Sequence, residues 1–315
     1  EVTNYKYTYK GELPSWESQL QVYRRTKGAT QNAALTQSLA RTTQGLVNLE
    51  KIANLELQSF VLNQTTPYGH TISIDLNESM ISFNQNYRTW PHPETACRDE
   101  ACFQRLRLQI NDVPADTDVL RIAQDFLREY GISTETYGKP IINNEWRRQY
   151  ELTQDKTQVY IPDVVTVAFP TILEEKTVHD ESGFPYGLMV NVNVRERKVD
   201  SLWNLTTNTF ESSSYQAETN QERIRSVIER GGLYGYIYPE AKKTVEIELN
   251  NPEIVLQKIW MPRDSGNTGD ELLIPALRFT VKNKPENTYT PNQILVPLVK
   301  EILDQQPSGD VRIMM

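Results

Sequence analysis

ADTDVLRIAQDFLREYGI, residues 115–132, and LMVNVNVRERKV, residues 188–199, are the stretches that decide the fold class. In the first, Val119, Ile122, Ala123, Phe126 and Leu127 recur at helical spacing and make one apolar stripe. Asp116 or Thr117 is the expected cap and Gly131 the stop. In the second, Leu188, Val190, Val192 and Val194 alternate with asparagine and charged residues. A period of two with polar residues between is a strand that buries one face and wets the other.

The same pairing of helix and strands repeats outward in both directions. Upstream, ATQNAALTQSLARTTQGL (29–46) reads as a helix, followed by strands at 57–63, 70–76 and 80–87. Between the two deciding stretches, 140–152 and 158–170 read as strands, and 198–213 reads as one more. Downstream, TNQERIRSVIERGGL (219–233) reads as a helix stopped by Gly231 and Gly232. Strands at 243–249, 254–261 and 272–281 follow it, then the apolar run NQILVPLVKEILD (292–304), broken by Pro297. The chain itself opens on VTNYKYTYKGELPSW, an extended segment with Tyr5, Tyr7 and Tyr9 alternating, and a short strand near Leu20, Val22 and Tyr23.

Helices leading runs of strands predict an α+β protein built of tandem modules, each one helix packed on an antiparallel β-meander. The expected boundaries are 1–110, 111–216 and 217–315. The length of 315 residues suits two or three domains.

Composition narrows the function classes. The formal charge is −8, and the nearest candidates for a basic patch are short groups flanked by polar or acidic residues: Arg24, Arg25 and Lys27; Arg105 and Arg107; Arg195, Arg197 and Lys198. Phosphate neutralisation needs many clustered cations, so no nucleic-acid partner is expected. No segment has the 18 or more apolar residues of a membrane span. The chain starts at Glu1, so any membrane attachment is expected through an anchor outside it. Cys97 and Cys102, in PETACRDEACF, suit a local disulfide made in an oxidising compartment; the other reading is a pair of free surface thiols. Sixteen Tyr and five Trp against eight Phe favour aromatic groups with one polar end, at half-buried faces and interfaces.

The residues from Ala115 to Ser214 carry a family likeness: LRIAQDFLREYGI, then NNEW, VYIPDVVTVAFP, GFPYGLMVNVNV and VDSLWNL. This order resembles tandem PepSY-type or cystatin-like modules of extracytoplasmic bacterial proteins. They include regulatory proteins beside sensor kinases and membrane-anchored or lipoprotein-type proteins of candidate-phylum bacteria. The resemblance covers about two-thirds of the chain and is one of pattern. It implies modules that bind partners or hold domains apart, with no catalytic residues to carry over.

Catalytic motifs are absent. No GxSxG, SxxK or HExxH occurs among the 315 residues. Of the three histidines, His70 opens a strand, His92 lies in the rigid WPHPE, and His179 begins HDESG, a hairpin tip. Glu174–Glu175 and Asp270–Glu271 read as solvated loops. RDSGNTGDE (263–271) offers a weak calcium set in Asp264, Asn267, Asp270 and Glu271, but its spacing differs from the EF-hand loop and a polar hairpin loop is the favoured reading. Asn63, Asn77 and Asn204 lie in N-x-S/T sequons, which matter only where the source glycosylates.

The expectation is therefore a non-enzymatic protein of the cell surface or periplasm, without cofactors, that binds another protein or a second copy of itself. Tyr5, Tyr7 and Tyr9 form the candidate interface, because an alternating terminal strand can add to a neighbour's sheet. Two other readings stand beside it: a filament or surface-assembly subunit joined by terminal strands, and a hydrolase using carboxylates that spacing does not reveal.

Overall fold

The computed structural model describes residues 2–27, 58–156, 159–262, 269–283 and 290–305. In chain order the first strands are β1 (Thr3–Thr8), β2 (Gln19–Arg25), β3 (Ser59–Asn63), β4 (His70–Asp75) and β5 (Met80–Gln85). Helices α1 (Glu100–Leu106) and α2 (Asp116–Glu129), strand β6 (Ile141–Ile142) and helix α3 (Glu145–Leu152) follow. Next come β7 (Val164–Pro170), β8 (Ile172–Leu173), β9 (Lys176–His179), β10 (Gly187–Asn193), β11 (Lys198–Thr206) and β12 (Phe210–Gln216). Helix α4 (Gln221–Glu229), β13 (Lys243–Glu248), β14 (Glu253–Pro262), β15 (Gly269–Thr280), β16 (Gln293–Pro297) and helix α5 (Lys300–Asp304) complete it. With 42% strand and 19% helix, the class is α+β with sheet dominant. The helix expected at 29–46 lies outside the described residues.

The chain forms two compact units, each assembled from separated stretches. Unit 1 takes residues 1–26, 170–186 and 208–315; unit 2 takes 27–169 and 187–207. The expected boundaries at 110/111 and 216/217 fall inside these units, so contacts group the chain differently from three consecutive modules.

Unit 2 holds the helix and strand that open the sequence reading. Its sheet runs β3-β4-β5-β11-β10-β7-β6, with β4 antiparallel to both β3 and β5, and β11 antiparallel to both β5 and β10. Val119, Ala123, Phe126 and Leu127 of α2 are buried, and the helix packs on β10 and β11. Leu188, Val190, Val192 and Val194 are fully buried beneath it. Each such side chain contributes about 1.5–3 kcal/mol relative to leaving it in water. The helix ends as expected: Gly131 takes φ +66° and Ile132 N donates to Leu127 O at 2.8 Å. The start differs. Ala115 is the cap position and makes no side-chain bond. Asp116 instead accepts from Asn144 Nδ2 and Arg147 Nη2, tying α2 to the segment that carries α3.

Helix α3 corrects a second expectation. Of residues 140–152, expected as a strand, only Ile141–Ile142 is one, and Glu145–Leu152 is helical. Trp146 and Tyr150 are four apart and both pack on the unit 2 core, a helical spacing hidden by the polar residues between them.

Unit 1 contains the sheet β12-β2-β15-β14-β9-β8, with β16 antiparallel to β15, and a separate parallel pair of β1 with β13. The β9–β14 pairing is also parallel, so this unit is not a simple antiparallel meander. Helix α4 packs on β1 and β16, burying Ile224, Val227 and Ile228. Asn220 caps it, its side chain accepting from Glu222 N and Arg223 N. Residues 198–213, read as one strand, split into β11 of unit 2 and β12 of unit 1. The turn between them has Asn208 at φ +48°, a conformation asparagine tolerates better than most residues.

Candidate functional site

Each unit carries a cleft. In unit 2 it measures about 540 Å³ and lies beside the cysteine loop. Cys97 and Cys102 are joined in a disulfide. Asp99 caps α1 from inside that loop, its Oδ1 accepting from Cys102 N at 2.8 Å. The segment is thus a stapled turn leading into a helix. It delivers Phe103 to the wall of the cleft, where the side chain is 49% exposed, and Tyr160 stands 66% exposed in the same lining.

Charged groups share the remaining walls with apolar side chains such as Leu106, Leu108 and Ile161. Arg107 donates to Val159 O at 2.8 Å, and Arg195 donates to Leu106 O at 2.5 Å and to Asp163 Oδ1 at 3.3 Å. The two guanidinium groups thereby brace the end of helix α1, which bears Phe103, and the residue before Tyr160. At the base, Asp200 accepts from Ser201 Oγ at 2.7 Å, and burial pushes its carboxyl above the usual carboxylate range. His92 lies stacked on Tyr87, with ring centroids 3.6 Å apart.

A cleft of unit 1, about 280 Å³ in volume, is walled by tyrosines: Tyr5 and Tyr7 from β1, and Tyr234, Tyr236 and Tyr238 from the loop after α4. That loop depends on the Gly231–Gly232 stop. Both residues have positive φ, +93° and +102°. A Cβ on Gly231 would lie 2.6 Å from the Tyr7 ring, so the close approach requires glycine twice over. Asn4 holds the far end of the loop: its Nδ2 donates to Tyr238 O at 2.9 Å and its Oδ1 accepts from Tyr238 N at 2.7 Å. The side-chain amide thereby takes the place of a paired strand. Gln257 of β14 lines the cleft at 1% exposure. Burial pushes the Tyr7 hydroxyl up to about 12, and Tyr234 is raised by burial and by Glu181 nearby.

The expected site residues are placed as follows. Tyr7 is buried in the unit 1 core, while Tyr5 and Tyr9 pack partly buried against it. β1 uses one edge to pair with β13, from Thr3 opposite Lys243 to Thr8 opposite Glu248. Tyr5 reaches the cleft; Tyr9 donates to Glu12 O and stacks edge-on to Phe279. The three tyrosines are therefore not one exposed face.

Of the calcium set, Asp264 and Asn267 lie outside the described residues. Asp270 and Glu271 belong to β15 rather than to a loop. Glu271 is buried and its Oε2 accepts from Arg25 Nε at 3.2 Å, so that carboxylate already serves an interior ion pair. No group of three or more metal-ligating side chains occurs among the described residues.

His179, Asp180 and Ser182 do come together, as a turn. Asp180 Oδ1 accepts from Ser182 N, Ser182 Oγ and Phe184 N, and His179 Nδ1 faces Gly183 O at 2.7 Å. His70 sits between Gln64 Oε1 and Val199 O among aromatic rings. Glu174–Glu175, both at positive φ, form the tight hairpin turn between β8 and β9.

Reading the sequence missed Tyr234, Tyr236, Tyr238 and Gln257. The signal for the tyrosines was present in LYGYIYP, an alternation right after the glycine stop. Gln257 carries no sequence signal, because one glutamine in an apolar strand resembles any edge residue until its surroundings are known.

The chain matches no protein-family model and no curated protein. Among solved structures it is similar to the Bacillus megaterium YpeB C-terminal domain, at 10% identity and a TM-score of 0.27, covering 79% of this chain and 88% of that one. The likeness is distant.

Proposed function

We propose that this chain is a non-catalytic binding or scaffolding protein of the cell envelope, working outside the cytoplasm through protein contacts. The observation that carries this reading is the pair of exposed aromatic side chains, Phe103 and Tyr160, in the cleft beside the disulfide of unit 2. Aromatic anchors flanked by arginines are the groups that dominate binding energy at protein interfaces. Arg107 and Arg195 are committed to backbone carbonyls, so this surface is held in shape before any partner arrives. The disulfide supports an oxidising compartment. Among the described residues, no helix is long and apolar enough to cross a membrane.

The test uses the full chain and the double variant Phe103→Ser/Tyr160→Ser. Both side chains are exposed, so folding should change by no more than about 0.5 kcal/mol each. A partner captured from envelope extracts is purified and titrated against both proteins. The expected result is binding weakened about tenfold or more in the variant, equivalent to about 1.4 kcal/mol. Equal affinity for both proteins would remove this surface from the proposal. Turnover of peptide or glycoside substrates by the purified chain would remove the non-catalytic reading.

A further inference from the structure

We propose that the tyrosine-walled cleft of unit 1 is a second, separate binding site that takes a neutral saccharide of one or two hexose rings. The argument begins at the floor. Gln257 is 1% exposed, and its Oε1 is both shielded from solvent and without a hydrogen-bond partner among the described residues. Buried amide oxygens are almost always satisfied, and an exception inside the lining of a cavity calls for a donor supplied from within that cavity. A ligand hydroxyl is such a donor.

The walls select the ligand class. Rings of Tyr5, Tyr234, Tyr236 and Tyr238 offer flat apolar faces with polar edges, and Tyr236 meets Tyr238 edge-on at 4.9 Å. A pyranose has the complementary form: C–H groups on its faces and hydroxyls around its rim. Gln293, whose Oε1 accepts from Arg278 Nε, brings its Nε2 donors to the same lining, beside Ser182. Amides and hydroxyls both donate and accept, as sugar hydroxyls do. One residue of each sign, Arg230 and Glu181, lines the cleft, so its charge does not call for an ionic ligand. The volume of about 280 Å³ sits at the small end of ligand sites, which fits a short saccharide and not an extended peptide. Tyr234, 64% accessible, is the most exposed of these rings.

The experiment titrates the full chain with cellobiose and with N,N′-diacetylchitobiose, following tyrosine fluorescence and the side-chain amide signals of Gln257. Binding of at least one, with Kd on the order of 1 mM or tighter, is expected. Tyr234→Ala removes an exposed ring and should weaken binding about tenfold or more. Gln257→Leu should weaken it similarly while leaving the chain at least as stable, because the unpartnered acceptor is gone. A merely structural glutamine would show the reverse, lost stability with no change in affinity, and that result would overturn the proposal. So would failure of both saccharides to bind, binding that survives both variants, or preferential binding of a decaproline peptide.

Discussion

The two units solve the same problem, a helix on a sheet, with different interiors. Unit 2 encloses hydrocarbon and rings, with His70 packed among Phe83, Trp90, Phe126 and Tyr130. Its covalent staple is at the rim, in the cysteine loop. Unit 1 places polar chemistry inside: the Arg25–Glu271 ion pair, with side chains 4% and 7% exposed, and the unpartnered Gln257 oxygen. The clefts differ in the opposite sense. That of unit 2 is rimmed by charges, and that of unit 1 by tyrosines. A charged, aromatic-anchored surface suits a large partner, whereas rings around a buried amide suit a small one.

The sharpest way to break this contrast is Glu271→Ala. The change breaks the buried ion pair with Arg25, and the expected loss is about 3–5 kcal/mol, confined to unit 1. Urea unfolding with amide hydrogen exchange read segment by segment would show it. Protection lost equally in unit 2 would show that the two interiors are not energetically separate.

A smaller effect is expected from Cys97→Ser/Cys102→Ser. The bridge closes a short loop of sequence separation 5, so chain-entropy arguments give about 2 kcal/mol, local to unit 2. If this variant costs more than Glu271→Ala, the covalent staple of unit 2 outweighs the interior ion pair of unit 1. Calorimetry of both variants decides the order.

The smallest effect is on pH dependence. His70 and His179 are both held below the usual value of 6.5, burial being the main cause. The folded state thus favours neutral rings; stability is complete above pH 6.5 and falls as the unfolded chain takes up protons first. Asp200 works the other way in unit 2. Its carboxyl is raised above 3.8 by burial, so further acidification relieves a penalty as it takes up its proton. Hydrogen exchange corrected for intrinsic rates, from pH 7 to pH 4, should show unit 1 losing protection steadily and unit 2 recovering part of its loss. Matching profiles in both units would remove Asp200 from the account.

How much of this was legible follows from where each signal resides. The tyrosine cleft draws on β1, the turn after β9, the loop after α4, β14 and β16. Only the Tyr-x-Tyr alternations hinted at it, and they do not say which alternation meets which. The cysteine loop was legible as a disulfide because its ends lie only five positions apart in a chain with two cysteines. The helix α1 beyond it was not, since its seven residues carry no buried side chain to make a stripe.

By itself the sequence determined the local elements whose periodicity is complete. The stripe of α2, the alternation of β10 and the glycine stops at 131 and 231–232 stand where the residues put them, because 3.6- and 2-residue periods and positive φ are properties of neighbouring residues. Only the tertiary structure decided the partners: β1 beside β13 in parallel, β2 between β12 and β15, and 198–213 divided between two units. An amphipathic strand states which face it must bury, and many sheets can satisfy that. Which one does is settled by the sum of side-chain packing across distant segments. The same sum leaves Gln257 inside a cleft with an oxygen to be met.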